Sequence, residues 1–136
     1  MRVIILILMC ILVTSALAES YQGIPVSTLV RVPYPWGSTA FSPNTDTAEM
    51  LKDARYAAMV YISGRTSTQQ PSAYDESLAF ARAASARKYL IERGVSPLKI
   101  MMNYVSGDDF IADNSTPEGK RANQRVDIEM MFVPMY

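Results

Sequence analysis

The chain of 136 residues contains no histidine and a single cysteine. Without an imidazole it lacks the side chain that titrates near neutral pH and is the commonest general base and metal ligand. Ser-His-Asp arrangements, Cys-His pairs and zinc clusters therefore lose their usual members. Neither charge sign is in excess: Lys and Arg number 13, Asp and Glu 13. A nucleic-acid binder ordinarily carries a basic surplus, so that class is disfavoured. The acidic candidates for catalysis, Asp108-Asp109 and Asp127 with Glu129, come with no base, nucleophile or metal cluster. Asp127 and Glu129 alternate onto one face of an expected strand, which is ordinarily a solvated face. No catalytic residue, no bound metal and no cofactor is expected, and the chain reads as a non-enzyme.

A long apolar run occurs once, at Val3–Val13, behind Arg2. With small residues at Ser15-Ala16-Leu17-Ala18, it reads as a signal peptide over 1–18, with cleavage before Glu19. The run is short for a membrane span, which needs about 20 residues. Cys10 lies inside it, preceded by Met9 rather than the small residue a lipidation signal wants, so lipidation there is not expected. After cleavage the chain has no cysteine and no disulfide, twelve basic residues against thirteen acidic ones, and no transmembrane segment. Its length suggests one domain. With 49% hydrophobic residues it can build a single core without metal or disulfide support.

Residues 19–37 look irregular, because Pro25, Pro33 and Pro35 interrupt them. Within them Thr28–Val32 has the pattern of a short strand, and Trp36 is either an anchor for a partner or an edge cover for the chain's own domain. From residue 38 the pattern becomes regular. Ser38–Phe41 reads as a short strand. Asn44 caps a helix that runs to about Tyr56. Ala57–Ser63 reads as a buried strand ending at Gly64. Ser72–Arg93 is the longest helix, stopped by Gly94. Leu98–Val105 is a strand, Thr116-Pro117-Glu118 starts a short helix, and Arg125–Val133 alternates as a half-buried strand. Gly107–Phe110 is a turn. The fold class is α/β in the sense of an α+β sandwich: a small mixed sheet of about four strands with two or three helices on one face.

On the long helix, Leu78, Ala79, Ala83, Ala86, Tyr89 and Leu90 fall on one stripe. Asp75 and Arg82 fall inside that stripe. A charge there is costly unless it is paired. Two explanations stay open. One is a polar notch that receives a zwitterionic ligand. The other is an internal contact, with Arg82 held by Asp75 or by main-chain carbonyls and its stem packed flat.

Two segments carry a resemblance. The first is Gly64-Arg65-Thr66-Ser67, continuing to Asp75, Leu78 and Arg82-Ala83. The second is Asp113-Asn114-x-Thr116-x-x-Gly119, leading into Asn123-Gln124-Arg125-Val126. In that order and at that spacing they resemble the OmpA-like C-terminal domain, over roughly residues 38–133. The resemblance implies a domain over 38–136 that holds peptidoglycan non-covalently. The arginine at the place of Arg82 would grip the carboxylate of the diaminopimelate side chain, to which a guanidinium fork is suited. The implied ligand-binding set is Thr66, Ser67, Asp75, Arg82, Asn123 and Arg125, with Arg125 either facing the ligand or orienting its loop. The pattern departs from the family at three places. Ser67 stands where the family has the aspartate that holds the ammonium, Asp75 where it has asparagine, and Gln124 where it has arginine. Asp75 is expected to supply the charge missing at 67.

The function expected from this resemblance is that of an exported, periplasmic protein associated with the wall or outer membrane. It would anchor an envelope assembly to peptidoglycan, with residues 19–37 available to other envelope or secretion-complex proteins and no role for nucleic acid. The alternative is a ligand-free structural subunit of an outer-membrane, secretion, conjugation or pilus complex that keeps only the fold.

Overall fold

The computed structural model describes residues 25–134. The expected signal peptide and Cys10 lie outside them. The elements run β1 (Val26–Pro33), α1 (Thr45–Leu51), a 3-10 segment (Lys52–Tyr56), β2 (Met59–Arg65), α2 (Ala73–Glu92), a short 3-10 turn (Pro97–Lys99), β3 (Ile100–Val105), α3 (Pro117–Asn123) and β4 (Arg125–Phe132). The sheet has the order β1-β4-β2-β3. β4 is antiparallel to both its neighbours, whereas β2 and β3 run parallel. A parallel pair needs a crossover, and α2 supplies it.

One face of the sheet is buried. The row Val30–Ile128–Ile62–Met102 crosses all four strands in register. Val32, Val126, Val60 and Met130 flank it, and Leu51, Ala54, Ala83, Ala86 and Leu90 close the core from the helical side. Gly64 lies where helix and sheet come closest: a Cβ there would sit 2.0 Å from the carbonyl oxygen of Ala79. The small residues of α2 permit this approach, and it brings the C-terminal end of β2 against the helix. Among the described residues, no helix is long and apolar enough to cross a membrane.

The helix boundaries follow the local chemistry. Asn44 Oδ1 accepts from the N–H of Thr47 at 2.8 Å, as expected, but the α-helix stops at Leu51 and continues as the 3-10 segment. Ser72 caps α2 in a complete capping box with Asp75, and Thr116 caps α3 with Pro117 behind it. Two expectations change. Residues 26–33 of the segment expected to be irregular form an eight-residue edge strand, longer than Thr28–Val32 and paired along its whole length with β4. Pro33, at the end of an edge strand, is compatible with this because an edge position needs no N–H there. Ser38–Phe41, expected as a strand, is not one. The carbonyl oxygen of Ser38 accepts from Arg82, and its hydroxyl accepts from the N–H of Ala40, so the groups a ladder would use are committed elsewhere.

Candidate functional site

Arg82 is fully buried on the sheet-facing side of α2, and its guanidinium is satisfied by main chain. Nε donates to the Ser38 carbonyl oxygen at 2.9 Å, Nη1 to that of Arg65 at 3.0 Å, and Nη2 to that of Pro35 at 3.3 Å. A guanidinium has five N–H donors. Each terminal nitrogen therefore keeps one N–H beyond these three bonds. The Tyr34 ring lies under the group, 5.2 Å from Cζ to the ring centre. Burial holds the guanidinium pKa below its ordinary value, while the phenols of Tyr34 and Tyr74 oppose that shift. A guanidinium does not lose its proton in proteins, so the group is a cation at physiological pH. The Tyr34 hydroxyl donates to the carbonyl oxygen of Arg82 at 3.1 Å and shares a 2.9 Å hydrogen bond with Ser85. Burial pushes its pKa up to about 12, against the lowering effects of Ser85 and Arg82.

Two of the carbonyls on Arg82 belong to one tight turn. Pro35–Ser38 is closed by the Ser38 N–H to the Pro35 carbonyl oxygen at 3.0 Å, with Gly37 at φ 65°. A left-handed residue at the third position of a turn is where glycine is favoured. The turn presses Pro35 and Ser38 onto the arginine and lifts Trp36 outward, leaving it 81% exposed.

Asp75 occupies the first turn of α2. Its Oδ2 accepts from the Ser72 N–H at 2.9 Å and from the Ser72 hydroxyl at 2.7 Å, and its Oδ1 accepts from the Thr68 hydroxyl at 2.8 Å. The Ser72 N–H, then the Ser72 hydroxyl, then the Thr68 hydroxyl hold its pKa below the usual carboxylate range. It is thus a fixed anion at neutral pH. Asp75 and Arg82 form no ion pair with each other. They line one narrow cleft of ≈ 50 Å³ together with Thr66 and Ser67. Thr66 Oγ1 is buried and has no hydrogen-bond partner among the described residues. Ser67 is also buried, and its carbonyl oxygen accepts from Asn114 Nδ2 at 2.6 Å.

Four of the six residues expected at the site meet in this cleft; Asn123 and Arg125 do not line it. Asn123 organises the loop before α3. Its Oδ1 accepts from the N–H groups of Ile111 and Ala112, and its Nδ2 donates to the Ala112 carbonyl oxygen and to Asn114 Oδ1. Arg125 is buried, donating from Nε to Asp127 at 2.9 Å and from Nη2 to the carbonyl oxygen of Asp109 at 2.9 Å. Its bonded atoms meet Asp127 and the loop at Asp109, and it does not line the cleft. Asp109 also receives Arg65 at 3.0 Å, so two arginines meet one carboxylate behind the cleft. Asp108-Asp109 thus lies in the loop after β3, with Asp109 at φ 59°.

The cleft also contains residues that the sequence pattern did not single out as lining: Trp36, Thr68, Tyr74 and Gln124. Gln124 was visible only as a departure from the family pattern. Trp36 stood out as an isolated aromatic among prolines, but nothing local in the sequence puts it beside α2. The bonds from Arg82 to the Pro35 and Ser38 carbonyl oxygens, with those of Tyr34 to Arg82, Ser85 and Gln124, hold the turn there.

The OmpA family model matches residues 39–124 of the chain. A protein of Brucella suis biovar 1, named as a candidate outer membrane lipoprotein of a type IV secretion system, is 28% identical over 119 residues, covering 86% of this chain and 69% of its own length. The peptidoglycan-associated lipoprotein of Burkholderia pseudomallei superposes with TM-score 0.64 at 20% identity, over 74% of this chain and 88% of that structure. The cell wall anchor of the T6SS from Pseudomonas aeruginosa superposes with TM-score 0.62 at 20% identity, over 79% and 82% of the respective chains. At those identities the superpositions establish a shared fold.

Proposed function

The chain belongs to the OmpA family, and from that premise we propose that it anchors an envelope assembly to the cell wall by binding the diaminopimelate of the peptidoglycan stem peptide without covalent bonds. The chain is not an enzyme: its relatives are named as outer-membrane proteins, lipoproteins and anchors. The observation that carries the reading is the pairing of one fixed cation, Arg82, and one fixed anion, Asp75, in a single cleft with Thr66 and Ser67. A diaminopimelate side chain ends in a carboxylate and an ammonium on one carbon. Arg82 supplies donors for the first, and Asp75 supplies charge for the second. A charge-assisted hydrogen bond is roughly twice as strong as a neutral one. An acid at 75 therefore offsets a serine at 67 better than the serine hydroxyl alone would. The resemblance to wall anchors and to a secretion-system lipoprotein supports a periplasmic location after removal of residues 1–18, at the wall or outer membrane, with other envelope proteins as further partners.

A second reading has its own support. The Arg82 guanidinium already carries three bonds to its own chain, and the cleft is narrow. A ligand-free structural subunit of a secretion or conjugation complex would look the same. A pull-down of the chain on purified diaminopimelate-type sacculi separates the two. Retention that falls in the combined Asp75→Asn and Arg82→Ala variant, with circular dichroism reporting a folded protein, supports anchoring. Absence of retention by the unchanged chain, or retention unaltered in the variant, supports the structural role or another site.

A further inference from the structure

The narrow cleft does not end at Ser67. Trp36, Ser67 and Thr68 line it on one side and also line a wider cavity of ≈ 360 Å³, whose far wall is Asn114, Ser115 and Lys120. The two spaces share a border along three residues. Their charges differ. The narrow part has a cation and an anion, Arg82 and Asp75; the wide part has one cation, Lys120, and no carboxylate in its lining. Arg121, the next residue, is engaged with Glu118 at 3.1 Å, whereas Lys120 is exposed and has no carboxylate partner among the described residues. Trp36 stands at the junction with most of its indole in solvent. A large exposed aromatic beside polar groups is the residue type that supplies contact area at binding surfaces.

We propose that Lys120 and Trp36 form a second subsite, continuous with the Arg82 cleft, which receives a carboxylate of the ligand adjacent to the group held by Arg82 and Asp75. This inference rests on the anchoring reading above and deepens it. The narrow cleft takes a zwitterionic head; the wide cavity takes an anion a residue away, against the indole. The chemical class selected is thus an acidic peptide carrying a free carboxylate one residue before its diamino acid. In stem peptides that group is the α-carboxylate of the γ-linked D-glutamate, which some walls carry as the free acid and others as the amide. Lys120 makes the site prefer the free acid. The ammonium acts as a mobile point charge on a flexible stem, so its effect is one of preference rather than of rigid geometry.

The test is a calorimetric titration of the full chain with two peptides, L-Ala–γ-D-Glu–meso-diaminopimelate and its counterpart amidated at the glutamate α-carboxylate. It is run on the unchanged chain, Lys120→Gln and Trp36→Ala. Lys120 is exposed, so its replacement leaves the packing of the domain intact. The expected result is about fivefold weaker binding of the amidated peptide by the unchanged chain, the size of a solvent-exposed charge pair. Lys120→Gln should bind both peptides alike, at the affinity the unchanged chain shows for the amide. Trp36→Ala should bind both more weakly while keeping the preference. Equal affinity of the unchanged chain for the two peptides overturns the proposal, as does a preference that survives in Lys120→Gln. If neither peptide binds the unchanged chain, the anchoring reading itself fails and this subsite falls with it.

Discussion

The Nη2 group of Arg82 reaches the carbonyl oxygen of Pro35 at 3.3 Å, the longest of the three main-chain bonds that hold this guanidinium. The two shorter bonds tie α2 to Ser38 and to the end of β2. The long one ties it to the first residue of the turn that carries Trp36. Arg82 thus ties α2 both to the end of β2 and to the turn before α1. On the proposed reading, a carboxylate entering the cleft would meet the N–H that each terminal nitrogen keeps beyond these bonds.

Removal of that guanidinium leaves the carbonyls of Pro35, Ser38 and Arg65 without their partner. Each buried, unmade hydrogen bond costs about 1–3 kcal/mol. Arg82→Ala is expected to destabilise the chain by about 3–5 kcal/mol, in the range seen when a buried charged contact loses one member. Arg82→Lys, with one ammonium to share, should fall between. Urea unfolding followed by circular dichroism measures both, and an unchanged midpoint for the alanine variant would contradict the burial described for this group.

Asp75→Asn removes the charge and keeps one oxygen for the capping box. The expected stability loss is small, about 0.5–1 kcal/mol, as for a weakened helix cap. Retention on diaminopimelate sacculi should fall far more than stability does. The pH dependence has a definite sign. Asp75 has a depressed pKa in the folded chain, so the stability it contributes is present above the ordinary aspartate pKa of about 3.9 and is lost as pH falls through the depressed value. Acid titration of thermal stability should therefore be shallower below about pH 4 in Asp75→Asn than in the unchanged chain. Parallel curves would show that the carboxylate does not hold the start of α2.

Much of the fold is legible in the residues. Capping chemistry is local, so Asn44, Ser72 and Thr116 mark helix starts that the structure has. The alternation of Arg125–Val133 corresponds to β4, and the apolar stripe of α2 to its buried face, with Arg82 inside it. The features that escape a reading of the residues are non-local. The Val26–Pro33 strand looks short because Pro25 and Pro33 bracket it, yet an edge position beside β4 tolerates a proline at the end. Ser38–Phe41 has strand-like residues, but a carbonyl committed to a side chain 44 residues away cannot join a ladder. The same distance conceals the site's outer wall. Trp36 and Gln124 meet Asp75 and Arg82 only because a turn, a helix and the α3–β4 junction converge there. Asn123 and Arg125 stand out in the sequence, but Asn123 bonds the 111–114 loop and Arg125 bonds Asp127 and the Asp109 carbonyl oxygen.

Asn123→Ala separates that loop role from binding. It leaves the N–H groups of Ile111 and Ala112, the Ala112 carbonyl oxygen and Asn114 Oδ1 without this partner. The expected cost is about 3 kcal/mol, from more than one unsatisfied buried group. Hydrogen exchange should show the loss concentrated at residues 111 and 112. Exchange unchanged at those two amides would refute the assignment of Asn123 as the loop's organiser.

Gly64→Ala tests the contact between sheet and helix that sets the position of the cleft. The added methyl would lie 2.0 Å from main chain of α2, which no rotamer change can relieve. A loss of about 2–3 kcal/mol is expected, the upper part of the range for overpacked cores. A thermal midpoint within a degree of the unchanged protein would mean that α2 sits farther from β2 than described.

The most direct test of the central claim needs no variant. The chain is titrated calorimetrically with the tripeptide L-Ala–γ-D-Glu–meso-diaminopimelate and with the same peptide carrying L-lysine in place of the diaminopimelate, which removes only the side-chain carboxylate. If Arg82 holds that carboxylate, the lysine peptide binds at least about tenfold more weakly, as the loss of one hydrogen bond to a charged group requires. Equal affinities, or no binding of the diaminopimelate peptide, would contradict the account and leave the Arg82 cleft as a structural feature of the fold.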